Sequence, residues 1–234
     1  MDSIAISKFA DIRFCELKLL HHLSGKPSSF HPCVLQGSQQ HAMSASEDAE
    51  KEYESTDEQK LLDALADPNS KIEFPSESVQ VSFISSDFLF RGRLDKLVKI
   101  HDTLVVVDEK FTRRGIGCFR DKYVAQLSAY CHGLSKGQVK ICGVPLGKAF
   151  SNLKLSCWIV ERDIQTRKPL EKILFDFDQE EFNKHLSRFG EIVSSSKKEK
   201  SFLSSTAEER SLACNDMEKC AACEYRLCCG QRSY

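Results

Sequence analysis

Residues 92–111 read GRLDKLVKIHDTLVVVDEKF, and their reading decides the fold. The run TLVVVDEKF is short, apolar and β-branched, which predicts a strand buried on both faces. Asp95 follows one strand and Asp108-x-Lys110 ends the next, at a hairpin's spacing. Two strands joined in this way bring Asp95 and Asp108 to the same edge of a sheet. Strand alternation puts Asp108 and Lys110 on one face and Glu109 on the other. Adjacent carboxylates repel, so a hard cation such as Mg2+ or Mn2+ would stabilise the pair, with the Glu109 backbone carbonyl as a further ligand. A lysine beside that cation is suited to positioning a water or to stabilising charge that develops on a phosphate. A bare D-x-K also occurs on ordinary surface hairpins. The neighbouring GxxD and the buried-strand pattern of VVVDEK set this one apart.

Working outward, Val79, Val81, Phe83, Phe88 and Phe90 alternate as strand residues do. DKYVAQLSAYCHGL (residues 121–134) reads as a helix whose Gln126 and Tyr130, four apart, share a face that can look back at the strand ends. LSCWIVERD and KILFDFD read as two further strands, and Asp178 as the cap of a helix over QEEFNKHLSRFGEIVSS. Toward the N-terminus, KFADIRFCELKLLHHL predicts one helix capped by Ser7 and stopped by Gly25. A second helical segment is expected from near Gln36 to the residue before Pro68, and Gly37-x3-His41 places an imidazole where that helix begins. Histidine is an acceptable third ligand for Mn2+. The polar stretch over residues 194–210 reads as a linker or surface helix. Together the elements predict an α/β (α+β) domain around a central mixed sheet flanked by helices.

Composition narrows the class. A chain of 234 residues with 41% apolar and 29% charged content has enough material for one globular core. The N-terminal stretch lacks the basic and apolar regions of an export signal, and no run is long enough to span a bilayer, so a cytoplasmic protein is expected. Net charge is −1, yet residues 91–122 hold nine Lys or Arg against five acids, a stripe able to meet phosphates.

Eleven cysteines are too many to be incidental in such a chain, and the odd number argues against a complete disulfide framework. The tail CAACEYRLCCGQRSY holds Cys220-x2-Cys223-x5-Cys229, three ligands that need a distant fourth. Four thiolates hold zinc or an iron–sulfur cluster equally well. Cys228 rivals Cys229, and the spacing leaves the remote ligand open among Cys15, Cys33 and Cys214. Cys118, Cys131, Cys142 and Cys157 read as packing cysteines of the domain body.

The order of motifs resembles the RecB-like branch of the PD-(D/E)xK nucleases, most of all the small CRISPR-associated exonucleases, with AddB and the exonuclease V-like enzymes as relatives. The resemblance rests on Gly37 and His41, on Gly92-Arg93-Leu94-Asp95, on Asp108-Glu109-Lys110 and on Gln126 with Tyr130. It implies a restriction-endonuclease-like fold across residues 1–234, with a core over 36–195. It also implies a [4Fe–4S] cluster on Cys15, Cys220, Cys223 and Cys229, joining residues 1–35 to residues 205–234. His41, Asp95, Asp108 and Glu109 would hold Mn2+ or Mg2+. Lys110 would activate water and Gln126 would order the site. Tyr130, with Arg113, Arg114 and Arg120, would meet DNA. The implied activity is exonucleolytic cleavage of single-stranded DNA ends in CRISPR adaptation, with integrase proteins as partners. The alternatives are an adaptation factor acting mainly within an integrase complex, a repair nuclease of the AddB or exonuclease V type, and a zinc-stabilised binding module without catalysis. One departure stands out: Cys15 is followed by Glu16-Leu17, where the CRISPR-associated members commonly carry Pro-Arg.

Overall fold

The alternating apolar runs become strands of two five-stranded mixed sheets, seen in a computed structural model that describes residues 1–25, 58–74, 78–112, 115–146, 150, 153–198, 216–221, 223 and 225. In chain order these form β1 (Asp2–Ala5), α1 (Ile6–Phe9), a 3-10 turn (Ala10–Arg13), α2 (Glu16–Leu23) and α3 (Glu58–Ala66). Then come β2 (Lys71–Phe74), β3 (Val79–Ser85), β4 (Phe88–Arg93), β5 (Lys96–Ile100) and β6 (Thr103–Thr112). A 3-10 turn (Gly117–Phe119) leads into α4 (Arg120–Lys136), β7 (Gln138–Ile141), β8 (Val144–Pro145), β9 (Lys154–Asp163) and β10 (Pro169–Asp176). The helices α5 (Gln179–Lys198) and α6 (Met217–Ala221) follow.

One sheet has the order β1-β4-β3-β7-β8 and the other β10-β9-β6-β5-β2. The β1–β4 and β6–β9 pairs are parallel and the rest antiparallel. The mixed β-structure flanked by helices that the sequence predicts is present, divided into two sheets. The division falls at Leu94-Asp95: Leu94 makes a last backbone bond to Val79, and the chain then leaves for the other sheet. The β3–β4 hairpin turns through Ser86 and Asp87, both at positive φ, the two-residue geometry that matches strand twist. In β6, Leu104 to Glu109 are all buried, as the β-branched run predicts.

The helix α4 lies against both sheets and carries the core between them. At Gly133 a Cβ would fall 2.0 Å from Val81 Cγ1, so only glycine lets the helix approach β3 this closely. Phe9, Phe83, Phe90, Phe182 and Phe189 interlock beside it, with Phe83 and Phe90 stacked at 4.7 Å and Phe9 edge-on to Phe90 at 5.2 Å. Asp178 caps α5 through Oδ1, which accepts the N–H groups of Glu180 (2.8 Å) and Glu181 (3.0 Å), as expected from the sequence.

The first helix is broken, which corrects the sequence reading. An α-turn and a 3-10 turn end at Phe14, and α2 starts anew with Cys15 in extended backbone at its N-cap. Two side chains account for the break. Asp11 turns inward to Lys18 and Lys122, and Phe14 inserts beside Cys223 and Tyr225. A straight helix cannot serve both. Ser7 does not cap; the N-cap residue of α1 is Ala5. Among the described residues no helix is long and apolar enough to cross a membrane.

Candidate active site

The centre of the site is the inner face of β6. Asp108 is 2% exposed, and its Oδ1 accepts a hydrogen bond from Lys110 Nζ at 2.8 Å. Glu109 points to the opposite face, where its Oε1 accepts from Arg162 Nη2 at 2.7 Å and Nε at 3.0 Å. Its side chain is thus committed elsewhere, leaving only its backbone for the site. That backbone is used: the Glu109 N–H donates to Asp95 Oδ2 at 3.2 Å. Asp95 sits where β4 ends and β5 begins, so the step between the two sheets delivers its carboxylate to β6.

The electrostatics follow from burial. Burial pushes both Asp95 and Asp108 up from the ordinary carboxylate value, against the pull of Lys110; Asp95 raises Asp108 further, while a hydrogen bond with Asp108 pulls Asp95 back down. The Lys110 ammonium is disfavoured by burial, but Asp108 and Asp95 outweigh that and hold it firmly protonated. Asp108 Oδ2 is buried and has no donor among the described residues. Among the described residues, two buried carboxylates and an orphaned oxygen face one lysine. A hard divalent cation fits that set in charge and in ligand type.

The helix α4 closes the site with three side chains on one stripe. Gln126, 7% exposed, donates from Nε2 to Asp108 Oδ1 at 3.4 Å. Tyr130 is 5% exposed, and its hydroxyl donates to the Arg93 carbonyl at 2.8 Å. A Cβ on Gly92 would lie 2.5 Å from Tyr130 Cε1. The glycine of GxxD and the tyrosine of Q-x3-Y therefore form one device: the ring packs on bare backbone and holds the turn that presents Asp95. DNA stacking by Tyr130, expected from the resemblance, has no exposed ring face to use. The third member, Tyr123, was not singled out from the sequence. Lys110 Nζ lies 4.7 Å from its ring centroid. Its place at i−3 from Gln126 and i−7 from Tyr130 was the available signal.

A second residue missed in the sequence is Glu161. It pairs in register with Lys110 on β9, is buried on the same face, and accepts from Thr112 Oγ1 at 2.6 Å. Arg120 is exposed at the first turn of α4. His41, Gly37, Arg113 and Arg114 lie outside the described residues.

The cysteines form a separate corner. Cys223 is buried with Phe14 and Tyr225, and Cys15, Cys118 and Phe119 pack against them. The Cys223 N–H bonds the Cys220 carbonyl at 3.2 Å, and the Tyr225 N–H approaches Cys223 Sγ at 3.4 Å. Cys118 belongs to this corner, not to the domain body where the sequence reading put it. Cys131 and Cys157 do pack together in the core, with sulfurs 3.4 Å apart. Cys229, Cys228, Cys214 and Cys33 lie outside the described residues. Among the described residues no three His, Cys, Asp or Glu side chains converge as a metal-binding group.

Comparison with known proteins agrees with this arrangement. The sequence profile of the PD-(D/E)XK nuclease superfamily matches residues 18–230. The chain belongs to that superfamily. The match spans β4, β6 and α4, which carry the residues just described. No curated protein sequence matches the chain. Among solved structures, the protein SSO0001 aligns at 11% identity with a TM-score of 0.46, covering 100% of this chain and 89% of its own. A candidate exonuclease from Eubacterium rectale aligns at 13% identity with a TM-score of 0.46, covering 85% and 82%. Likenesses this distant add nothing to the superfamily assignment.

Proposed function

We propose that the chain is a metal-dependent deoxyribonuclease that removes nucleotides from single-stranded DNA ends. The observation that carries this reading is the convergence of Asp95, Asp108 and Lys110, with Asp108 Oδ2 left without a donor. Asp95 and Asp108, with the Glu109 carbonyl and His41, would hold Mg2+ or Mn2+. The bound cation would supply the positive charge that offsets charge building on the scissile phosphate. Lys110 keeps its proton, so it acts as a donor: it orients the attacking water or neutralises a phosphate oxygen. Gln126 restrains Asp108, and Tyr130 with Gly92 fixes the turn that carries Asp95. Arg120, with Arg113 and Arg114, would follow the phosphate backbone.

A [4Fe–4S] cluster on Cys15, Cys220, Cys223 and Cys229 is part of the same proposal. The packing of Cys15 and Cys223 into one corner, from opposite ends of the chain, supports it. The cluster would be structural, tying α2 to the tail. The cysteine count suits a reducing cytoplasm. A role in CRISPR adaptation, beside integrase proteins, comes from the order of motifs. The Glu16-Leu17 pair after Cys15 departs from the CRISPR-associated pattern, and a repair nuclease of the AddB or exonuclease V type is the alternative.

The test is anaerobic purification, a visible spectrum with iron and zinc analysis, and cleavage of end-labelled single- and double-stranded DNA with Mg2+ or Mn2+. The proposal expects a brown protein that shortens free single-stranded ends and spares closed circles. A colourless zinc protein would overturn the cluster, and absence of metal-dependent cleavage would overturn the activity.

A further inference from the structure

We propose that Tyr123 is a positioning residue for Lys110 and that it is the inner end of an aromatic stack rooted in the cysteine corner. The inference rests on the nuclease reading above. A lysine ammonium on four methylenes has many orientations, and one hydrogen bond does not fix it. Asp108 Oδ1 supplies that bond at 2.8 Å. The Tyr123 ring supplies a second direction, with Nζ 4.7 Å from its centroid. A ring face suits this place better than another carboxylate. It attracts the ammonium without adding an anion beside Asp95 and Asp108, and it leaves Asp108 Oδ2 available to a cation.

The ring is itself held from behind. Phe119 stacks on Tyr123 at 6.0 Å with 18° between planes, and Phe14 stacks on Phe119 at 5.0 Å with 14°. Phe14 is buried with Cys223 and Tyr225, and Cys15 packs on the same group. A second tie runs alongside: Lys122, next to Tyr123, pairs with Asp11, three residues before Phe14. The chain of contact from Lys110 to the two ends of the polypeptide is therefore continuous, through Tyr123, Phe119 and Phe14. A tyrosine on a helix face is ordinarily core. This one differs because its ring meets the ammonium of the D-x-K lysine.

Tyr123→Leu, Tyr123→Phe and Phe119→Leu test the proposal by two readouts. The first is kcat and KM for a single-stranded oligonucleotide at saturating Mn2+. Tyr123→Leu is expected to lose on the order of tenfold in kcat with KM unchanged, and Tyr123→Phe to stay within about twofold of wild type. Phe119→Leu should fall between them. The second readout, free of activity, is the NMR shift of the Lys110 ε-methylene in metal-free protein. A ring-current shift present in wild type and Tyr123→Phe, and lost in Tyr123→Leu, supports the contact. Wild-type kcat in Tyr123→Leu, a change confined to KM, or an unmoved ε-methylene signal would overturn the proposal. If Tyr123→Leu does not fold, Phe119→Leu and Tyr123→Phe carry both readouts. A wild type that cleaves no DNA overturns the nuclease reading and the kinetic half with it. The NMR shift then separates that failure from a misplaced ring.

Discussion

Two buried charge groups lie on either side of the first turn of α4, and they differ in one respect. Around β6, two carboxylates, Asp95 and Asp108, face one lysine, Lys110. Beyond the helix, two lysines, Lys18 and Lys122, face one carboxylate, Asp11. Burial does not distinguish them: the side chains of Asp11, Lys18 and Lys122 are 0%, 7% and 15% exposed, and those of Asp108 and Lys110 are 3% and 16%. The sign of the excess does. Among the described residues the first group holds more carboxylates than cations, and in both groups a buried carboxylate oxygen lacks a hydrogen-bond donor. In the second, both ammonium groups meet the same Asp11 oxygen, and its ions come from three elements: the 3-10 turn before α2, α2 itself and α4. On the proposed function, the acid excess makes a site for a divalent cation, and the lysine excess centred on one acid makes a structural tie. The same residue types, similarly buried, divide into chemistry and scaffold by stoichiometry.

The largest effect expected from this contrast is on activity. Asp108→Ala should lower cleavage by on the order of a thousandfold or more while the melting temperature without metal changes little. In wild type, Mn2+ should raise the melting temperature, and in Asp108→Ala that rise should vanish. The mirror experiment is Asp11→Ala, which removes the carboxylate that Lys18 and Lys122 share. It should destabilise the fold by about 3–5 kcal/mol in urea melts. A stable, active Asp11→Ala protein would break the comparison.

Next in size is Gly92→Ala. Its Cβ meets the Tyr130 ring, so overpacking should cost roughly 1–3 kcal/mol and loosen Asp95. Tyr130→Phe, which loses the bond to the Arg93 carbonyl and the hydroxyl's bond with Gln126, should cost about 1 kcal/mol.

The smallest effect is one of pH. Burial lowers the Lys122 ammonium from its ordinary 10.5, although Asp11 and its hydrogen bond pull the other way. The unfolded chain then holds this proton more tightly than the folded one. The Lys122 contribution is therefore fully present above 10.5 and is lost as pH falls through the lower folded value. As pH rises toward 10.5, wild type should gain stability relative to Lys122→Met. A flat or opposite difference would mean that Lys122 is not buried in this way.

Much of the site was legible because strand and helix periods are local. The alternation in VVVDEK separates Asp108 and Lys110 from Glu109, and the four-residue spacing puts Gln126 and Tyr130 on one stripe. Asp178 was legible as a cap because capping is decided within three residues. What escaped depends on partners distant in sequence. The break at Phe14-Cys15 is imposed by Lys122 and Tyr225, more than a hundred residues away. The division into two sheets is imposed at Leu94-Asp95, where periodicity continues although the pairing partner changes. Tyr123 and Glu161 read as ordinary helix and strand residues until β6 is placed beside them. The strand β1 was missed because DSIA buries only Ile4 and takes its order from parallel pairing with β4.

The central claim is that the acid excess at Asp95 and Asp108 is a divalent-cation site. Electron paramagnetic resonance of Mn2+ titrated into wild type, Asp108→Ala and Asp11→Ala tests it most directly. Loss of the free-ion signal is expected in wild type and in folded Asp11→Ala, with no such loss in Asp108→Ala. Equal Mn2+ binding by wild type and Asp108→Ala would contradict the account.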